Sequence, residues 1–366
     1  MRTTLVTAAC AAALVACSRR EPAPADLSGP LVGETHAVRL GALPDDAAIV
    51  FTSMRWRDDP HRFVNWELYA RDLAGAHVER ITFDGQSHQH AAVAPDRRHI
   101  ATNRMPKEPW NDLELWLLDV KAQTETRLVP GFRSAGNGGV DFDRAGWLYF
   151  AARPKRGDSF DLFRMRIDGS AIEQLTRTPE DDYDVGVAED GSRIAWVRVT
   201  GFTPFYRKTE IWVANPDGSH ALRVFDGGPK YGRHGGFPLG GFDPEFSPDG
   251  RSVLFSRVNP EYDNFSMGAQ DLWIVDVDGT NLRAAGATNG ALRMIPDWVD
   301  DRLLFTEFNQ FDHYIGLATM RPDGTDVQRL DANLRDLWDG GRHGKFIPPL
   351  DPDWPHEDEA RSIRSP

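Results

Sequence analysis

The sequence predicts an all-β chain folded as a six-bladed β-propeller of four-stranded blades. Three observations predict it. Asp-Gly recurs between the same two kinds of strand, at Asp168-Gly169, Asp217-Gly218, Asp278-Gly279 and Asp323-Gly324. A four-strand unit repeats at a spacing of about 45–60 residues, as propeller blades do. Runs of Val, Ile, Leu and aromatics alternate with turn residues throughout, and no stretch carries an amphipathic helical period.

Taken in chain order, the first element is a leader. Arg2 precedes an apolar run from Leu5 to Ala13, a charged start and a hydrophobic stretch too short to span a bilayer as a helix. The run ends in Leu14-Val15-Ala16-Cys17, which resembles the lipobox of bacterial lipoproteins, where small residues admit the signal peptidase and the cysteine is acylated. Residues 1–16 are therefore expected to be a signal peptide and Cys17 a lipidation site. Cys10 falls in the removed part, so neither a disulfide nor a thiolate metal site is expected in the mature chain. Ser18, rather than Asp, follows Cys17; in the lipoproteins it resembles this implies an outer-membrane protein facing the periplasm, with another lipid-anchored envelope location as the alternative. Residues 17–42, with Pro22, Pro24 and Pro30, read as a flexible tether holding the domain roughly 25–30 Å from the membrane.

The propeller is expected over residues 43–354. The second strand of each unit is read at Ile49-Val50-Phe51, Ile100-Ala101-Thr102, Leu148-Tyr149-Phe150, Ile194-Ala195-Trp196, Val253-Leu254-Phe255 and Leu303-Leu304-Phe305. The third follows at Leu68-Tyr69-Ala70, Leu115-Trp116-Leu117, Leu162-Phe163-Arg164, Ile211-Trp212-Val213, Leu272-Trp273-Ile274 and Leu317-Ala318-Thr319. Asp-Gly suits the hairpin after it, because glycine accepts positive φ without steric cost. The first unit lacks a first strand. Phe346 to Asp353 matches Phe242 to Asp249 in its apolar and proline positions, so Phe346 to Pro352 is expected to pair with Ile49 to Thr52 and close the ring. Residues 355–366 read as a polar tail.

Phe246-Ser247-Pro248-Asp249-Gly250 with Val253-Leu254-Phe255, and Leu272-Trp273-Ile274-Val275-Asp276 with Asp278-Gly279, resemble the repeats of TolB-type six-bladed propellers. The resemblance spans about residues 43 to 354 and implies the fold rather than a function. TolB carries an α/β domain ahead of its propeller where this chain has the short segment 17–42, so a Tol-system role is not expected. Prolyl-oligopeptidase-like peptidases use the same propeller type, but no Gly-x-Ser-x-Gly occurs here, and a serine hydrolase is not expected.

With 42 basic and 55 acidic residues, a formal charge of −13, nucleic acid is excluded as a partner. In a blade, the first-to-second and third-to-fourth turns share one face, and the remaining connections share the other. The long connections, Met54 to Trp66, Val199 to Thr209, Asp226 to Gly241, Asn259 to Gln270 and Asp331 to Lys345, all fall on the second face. That loop face gathers Trp110, Tyr206 and Tyr262, aromatics suited to sugars or peptides. Its chemistry-bearing groups are His88 and His90, Arg233 and His234, and Arg342 and His343. Imidazoles from separate blades could hold a divalent metal, although the spacing matches no recognisable zinc pattern and no cofactor is predicted. The arginines could clamp an anion. Asp184 and Asp243 occupy matching repeat positions and could line the central channel with His90, or could simply bond neighbouring strands.

The leading expectation is a monomeric, lipid-anchored envelope propeller that binds a protein, peptide or glycan through the loop face. The alternative is a metal-assisted carbohydrate lyase or hydrolase using the loop-face His and Arg residues; no catalytic residue is assigned. Stable membrane residence needs more than one acyl chain. Cys17→Ala is expected to move the protein from the membrane to the soluble fraction, and equal membrane retention of variant and wild type would refute the lipobox reading.

Overall fold

Packing follows from the repeat. In the computed structural model, residues 22–53, 66–74, 77–105, 113–134, 139–202, 207–227, 240–258, 270–286, 291–309, 314–330 and 342–354 are described. They form six antiparallel sheets around one axis.

Blade one joins Arg342–Phe346, Ile49–Ser53, Glu67–Arg71 and Val78–Arg80, from the axis outward. Blade two has Ser87–Val93, His99–Met105, Glu114–Asp119 and Thr124–Leu128. Blade three has Asp141–Phe142, Trp147–Arg153, Asp161–Arg166 and Ile172–Gln174, and blade four Asp181–Val187, Ile194–Phe202, Arg207–Ala214 and Leu222–Phe225. Blade five has Gly241–Phe246, Ser252–Val258, Gln270–Asp276 and Arg283–Ala284. Blade six has Leu292–Val299, Arg302–Asn309, Tyr314–Met320 and Gln328–Arg329. Every second and third strand read from the sequence falls inside its observed counterpart. The blade-four hairpin is longer than expected, its strands continuing to Phe202 opposite Arg207.

The four Asp-Gly hairpins share one device. Gly169, Gly218, Gly279 and Gly324 have φ of 75°, 79°, 85° and 84°. Each Asp carboxylate accepts from the backbone N–H two residues on, at 2.8 Å in Ser170 and 2.9 Å in Ser219, Thr280 and Thr325. Between blades, the alternating apolar residues form the core: Trp196, Phe225 and Phe255 pack across blades four and five, and Phe150 and Phe163 stack in blade three.

The ring closes through the C-terminal strand, in a different register from that expected. Ile49 pairs with Phe346, Val50 with Lys345 and Thr52 with Arg342. The strand thus precedes the proline run instead of containing it. Pro348, Pro349 and Pro352 carry no N–H and cannot extend a ladder; the last bond to blade one is Ile347 N–H to the Ala48 carbonyl at 2.9 Å. Beyond it the chain crosses the tight-turn face. Asp351 N–H donates to the Pro95 carbonyl of blade two at 2.7 Å, and Trp354 seats in blade three. There its indole N–H donates to the Asp143 carbonyl at 2.9 Å, and its ring meets the Phe142 ring edge-on at 5.6 Å.

The segment read as a tether is docked from Pro22 onward. Ala25 N–H donates to Gln174 Oε1 of blade three at 2.9 Å, and Leu27, Leu31 and Val32 pack on the core between blades two and three. Val32–Ala37 adds a fifth, outermost strand to blade two against Thr124–Leu128, and Gly41 N–H donates to the Ile81 carbonyl of blade one at 2.8 Å. An outer strand's open edge supplies backbone partners that a proline-rich, polar sequence can use without a hydrophobic pattern.

Trp354 is buried to 1% exposure, and a large buried aromatic typically contributes about 3–5 kcal/mol. Trp354→Ala is expected to destabilise by roughly that amount against a total of about 5–15 kcal/mol. Removing residues 343–366, which takes the closing strand as well, is expected to cost more, and removing only 356–366 little. Thermal melts of the three variants check the ranking; equal melting temperatures would contradict the observed closure.

Candidate functional site

The inner strand of each blade has a hydrogen-bonding partner on one side only, so its other edge faces the axis. Matching the repeats places six residues at one level of the channel: Lys345, Ala92, Asp141, Gly186, Glu245 and Asp297, from blades one to six. One level nearer the loop face stand His90, Gly139, Asp184, Asp243 and Ile295. Asp184, Asp243 and Ile295 have φ of 63°, 52° and 53°, and each marks a register shift in its inner strand. A bulge adds a residue and re-aims its neighbours, here toward the axis.

The carboxylates bond across blade boundaries. Asp141 accepts from Val187 N–H at 3.0 Å and from Phe142 N–H at 2.8 Å. Asp297 accepts from Phe346 N–H at 2.5 Å and Trp298 N–H at 2.8 Å. Asp184 reaches both ways, accepting from Gly139 N–H at 3.1 Å and Asp243 N–H at 2.6 Å, while Asp243 accepts from the Ser256 hydroxyl at 2.8 Å. Lys345 Nζ lies 3.1 Å from both Asp141 and Glu245. At Gly186 a Cβ would stand 2.2 Å from the Pro244 carbonyl oxygen, so blade four can place no side chain in this ring.

Burial opposes the charge on Lys345, but Asp141, Glu245 and Asp297 outweigh it and hold the ammonium above its ordinary pKa. Burial pushes Glu245 well above the usual carboxyl range; Lys345 pulls it back, and Asp297 and Asp141 add repulsion. Asp297 is also raised by burial, with Lys345 and its two N–H donors opposing. Burial, then the facing Asp243 carboxylate, raises Asp184 well above its ordinary value. Desolvation lowers His90, which keeps its imidazole neutral near pH 7.

Two cavities share the Lys345 ring as a wall. A space of about 30 Å³, the size of one water, lies between the two levels and is lined by His90, Asp184 and Asp243. A larger cavity of about 390 Å³ lies at the tight-turn mouth, with Val93, Val187, Phe246, Trp298 and the strap Pro348 to Pro352 as its wall.

Among the residues singled out from sequence, the structure brings His90, Asp184 and Asp243 together on the axis. It does not join His88 to them. Residues two apart share one face of a regular strand, but the register shift between His88 and Ala91 parts the pair. His88 is fully buried between blades one and two, with Nε2 3.3 Å from Asp84 and Nδ1 3.4 Å from the Thr102 hydroxyl. Glu67, Asp84 and His88 come close enough to share a cation. Arg80 already bonds Glu67 at 2.9 Å and Arg104 bonds Asp84 at 3.1 Å, so the cluster is a structural ion-pair network. Arg342 and His343 belong to the closing strand's backbone. Trp110, Tyr206, Arg233, His234, Tyr262 and Cys17 lie outside the described residues.

Sequence reasoning missed Lys345, Asp141, Glu245 and Asp297. Two of them stand two residues beyond a position it had noted: Glu245 after Asp243 and Lys345 after His343. A register shift lies inside each pair, so strand alternation alone does not link its two members.

No family model matches the chain. An uncharacterised protein of Agrobacterium fabrum is 25% identical over 151 residues, 40% of this chain and 48% of that protein; the chain spans about half the length of this curated relative. Among solved structures, TolB from Acinetobacter baumannii superposes with a TM-score of 0.57 at 14% identity, covering 83% of this chain and 68% of that one. Kuenenia stuttgartiensis hydrazine synthase gives 0.60 at 15% identity, covering 87% and 49%. These likenesses establish a six-bladed propeller similar to that of TolB.

Removing one partner of a buried ion pair typically costs about 3–5 kcal/mol. Lys345→Met is expected to destabilise by about that amount at pH 7. Glu245 and Asp297 have folded pKa values above their unfolded ones, so each favours the fold below its unfolded value and loses that contribution as pH rises through the folded value. Without Lys345 both rise further, and the deficit is expected to shrink between pH 7 and pH 5. Denaturant titration at the two pH values checks this; a pH-independent deficit would contradict it.

Proposed function

We propose that this chain is a binding propeller of the bacterial cell envelope, anchored by lipid at Cys17, that takes a protein, peptide or glycan on its long-loop face and performs no chemistry of its own. The observation that carries the reading is the asymmetry of the two faces. At one end the turns are short and closed by their own Asp side chains. The connections that follow Ser53, Phe225, Val258 and Arg329 all leave from the other end, and long connections on a rigid scaffold are where recognition residues sit. The axial carboxylates support binding over catalysis, because they are tied to backbone N–H groups of neighbouring blades.

Docking of the chain from Pro22 shortens the leash. Five peptide steps separate Cys17 from Pro22, which span at most about 18 Å. An acylated Cys17 would therefore hold the outer edge of blade three beside the bilayer instead of suspending the domain well away from it.

A photo-crosslinking amino acid at position 155, exposed on the loop face of blade three, is compared in intact cells with one at position 323, exposed on the tight-turn face. A discrete crosslinked product from position 155 alone is expected. No product at either position, or the same product from both, would overturn the loop-face reading.

A further inference from the structure

We infer that the cavity at the tight-turn mouth of the channel is a second binding site, one that takes a primary ammonium group on an apolar body, the chemistry of the free amino end of a hydrophobic peptide. It lies at the opposite end of the axis from the loop face and stands independently of that reading.

The walls set the body of the ligand. Val93, Val187, Phe246, Trp298, Ile347 and Leu350 surround about 390 Å³, within the usual range of small-ligand sites of roughly 300–1,000 Å³. The floor sets its head. Three carboxylates, Asp141, Glu245 and Asp297, face one ammonium, Lys345, which leaves an excess of negative charge. Asp141 and Asp297 are each engaged by two backbone N–H groups. Glu245 is different: among the described residues its hydrogen-bond donor is Lys345, on Oε1, at 3.1 Å. It is the floor carboxylate with room to accept a further donor. Burial is the main reason the Glu245 carboxyl is held above its ordinary range, with Asp297 and Asp141 adding repulsion, and a ligand ammonium beside it would favour its ionised form.

Other ligand heads fit less well. An anion would meet Lys345 only behind its ring of carboxylates. A metal ion drawing on several of these oxygens would have to displace the ammonium that already stands 3.1 Å from two of them. A ligand ammonium needs only Glu245 and solvent, and its apolar body replaces water along the hydrophobic wall.

Calorimetric titration of the protein with leucyl-leucine amide tests the site, with the N-acetylated dipeptide amide as control. One saturable site is expected. Acetylation, which removes the charge, and Glu245→Gln, which nearly preserves shape, should each weaken binding roughly ten- to a hundredfold, the loss of one charge-assisted hydrogen bond. Leu350→Lys puts a like charge at the mouth. Because Leu350 is 61% exposed, that variant should keep the wild-type melting temperature yet bind more weakly, so the test survives even if Glu245→Gln folds poorly. No saturable binding by the wild type at millimolar peptide would overturn the inference. So would equal affinity for the acetylated control, or binding unaffected by Leu350→Lys. Loop-face crosslinking from position 155 would be untouched by any of these failures.

Discussion

The open inner edge of the innermost strands is the constraint on which the rest of the structure depends. A propeller leaves only a short outer edge on each blade, but at the axis it gathers six strand edges whose N–H groups have no ladder partner. Leaving such a group buried and unpaired costs about 1–3 kcal/mol. Here carboxylates from the preceding or following blade accept several of these N–H groups, at Val187, Phe346, Gly139 and Asp243. The same bonds set the blades relative to one another. Their consequence is a concentration of negative charge in a poorly solvated channel, and Lys345 is what offsets it. Because Lys345 belongs to the strand that closes the ring, closure supplies both the missing inner strand of blade one and the cation at the centre.

The two ends of the described chain reinforce that seam from opposite directions. From Ala25 the N-terminal segment runs past blade three, along the edge of blade two and on to blade one. From Ile347 the C-terminal segment leaves blade one, passes blade two at Pro95 and ends with Trp354 in blade three. Blade one is the blade built from both ends of the chain, and closing a loop of that length carries the largest entropic cost in the fold. Both straps bind it to blades whose strands are contiguous in sequence, so opening the seam also requires breaking contacts two blades away.

The blades were legible because their chemistry is repeated as residue types: Asp-Gly at the hairpins and β-branched or aromatic runs in the strands. The ring at the axis was not, because its six positions hold Lys, Ala, Asp, Gly, Glu and Asp, which share no chemistry and become a site only when a closed ring sets them side by side. His90, Asp184 and Asp243 were legible as a level of the channel, since two of them are identical residues in matching repeats. The closing strand was found but placed four residues late, because proline and aromatic spacing was matched without asking which residues could donate to the ladder. Residues 32–37 were misread as linker for a related reason. Their contacts are backbone bonds to an outer edge, and their side chains are mostly exposed, so the hydropathy pattern carries no trace of the strand.

Blade six illustrates that what the repeats preserve is a bond rather than a residue. Glu67, Glu114 and Glu210 each lie in a third strand and pair with an arginine thirteen residues later in the outer strand, Arg80 at 2.9 Å, Arg127 at 3.1 Å and Arg223 at 3.0 Å. Asp161 does the same with Gln174 at 3.0 Å. In blade six the outer-strand arginine persists as Arg329, but the acid's position is Gly316. The carboxylate has moved to the adjacent strand: Glu307, directly opposite Gly316 in the ladder, accepts from Arg329 at 2.7 Å. Glycine leaves room for a side chain reaching over from the neighbouring strand, and the long outer-strand cation keeps its partner. An aligned column of residues would score Gly316 as a lost position, whereas the physical requirement, one carboxylate joining the third strand to the outer strand, is met in the same place by a different part of the chain. The ring at the axis obeys the same logic: inner-strand N–H groups must be answered by some carboxylate within reach, and the sequence is free to choose which blade provides it.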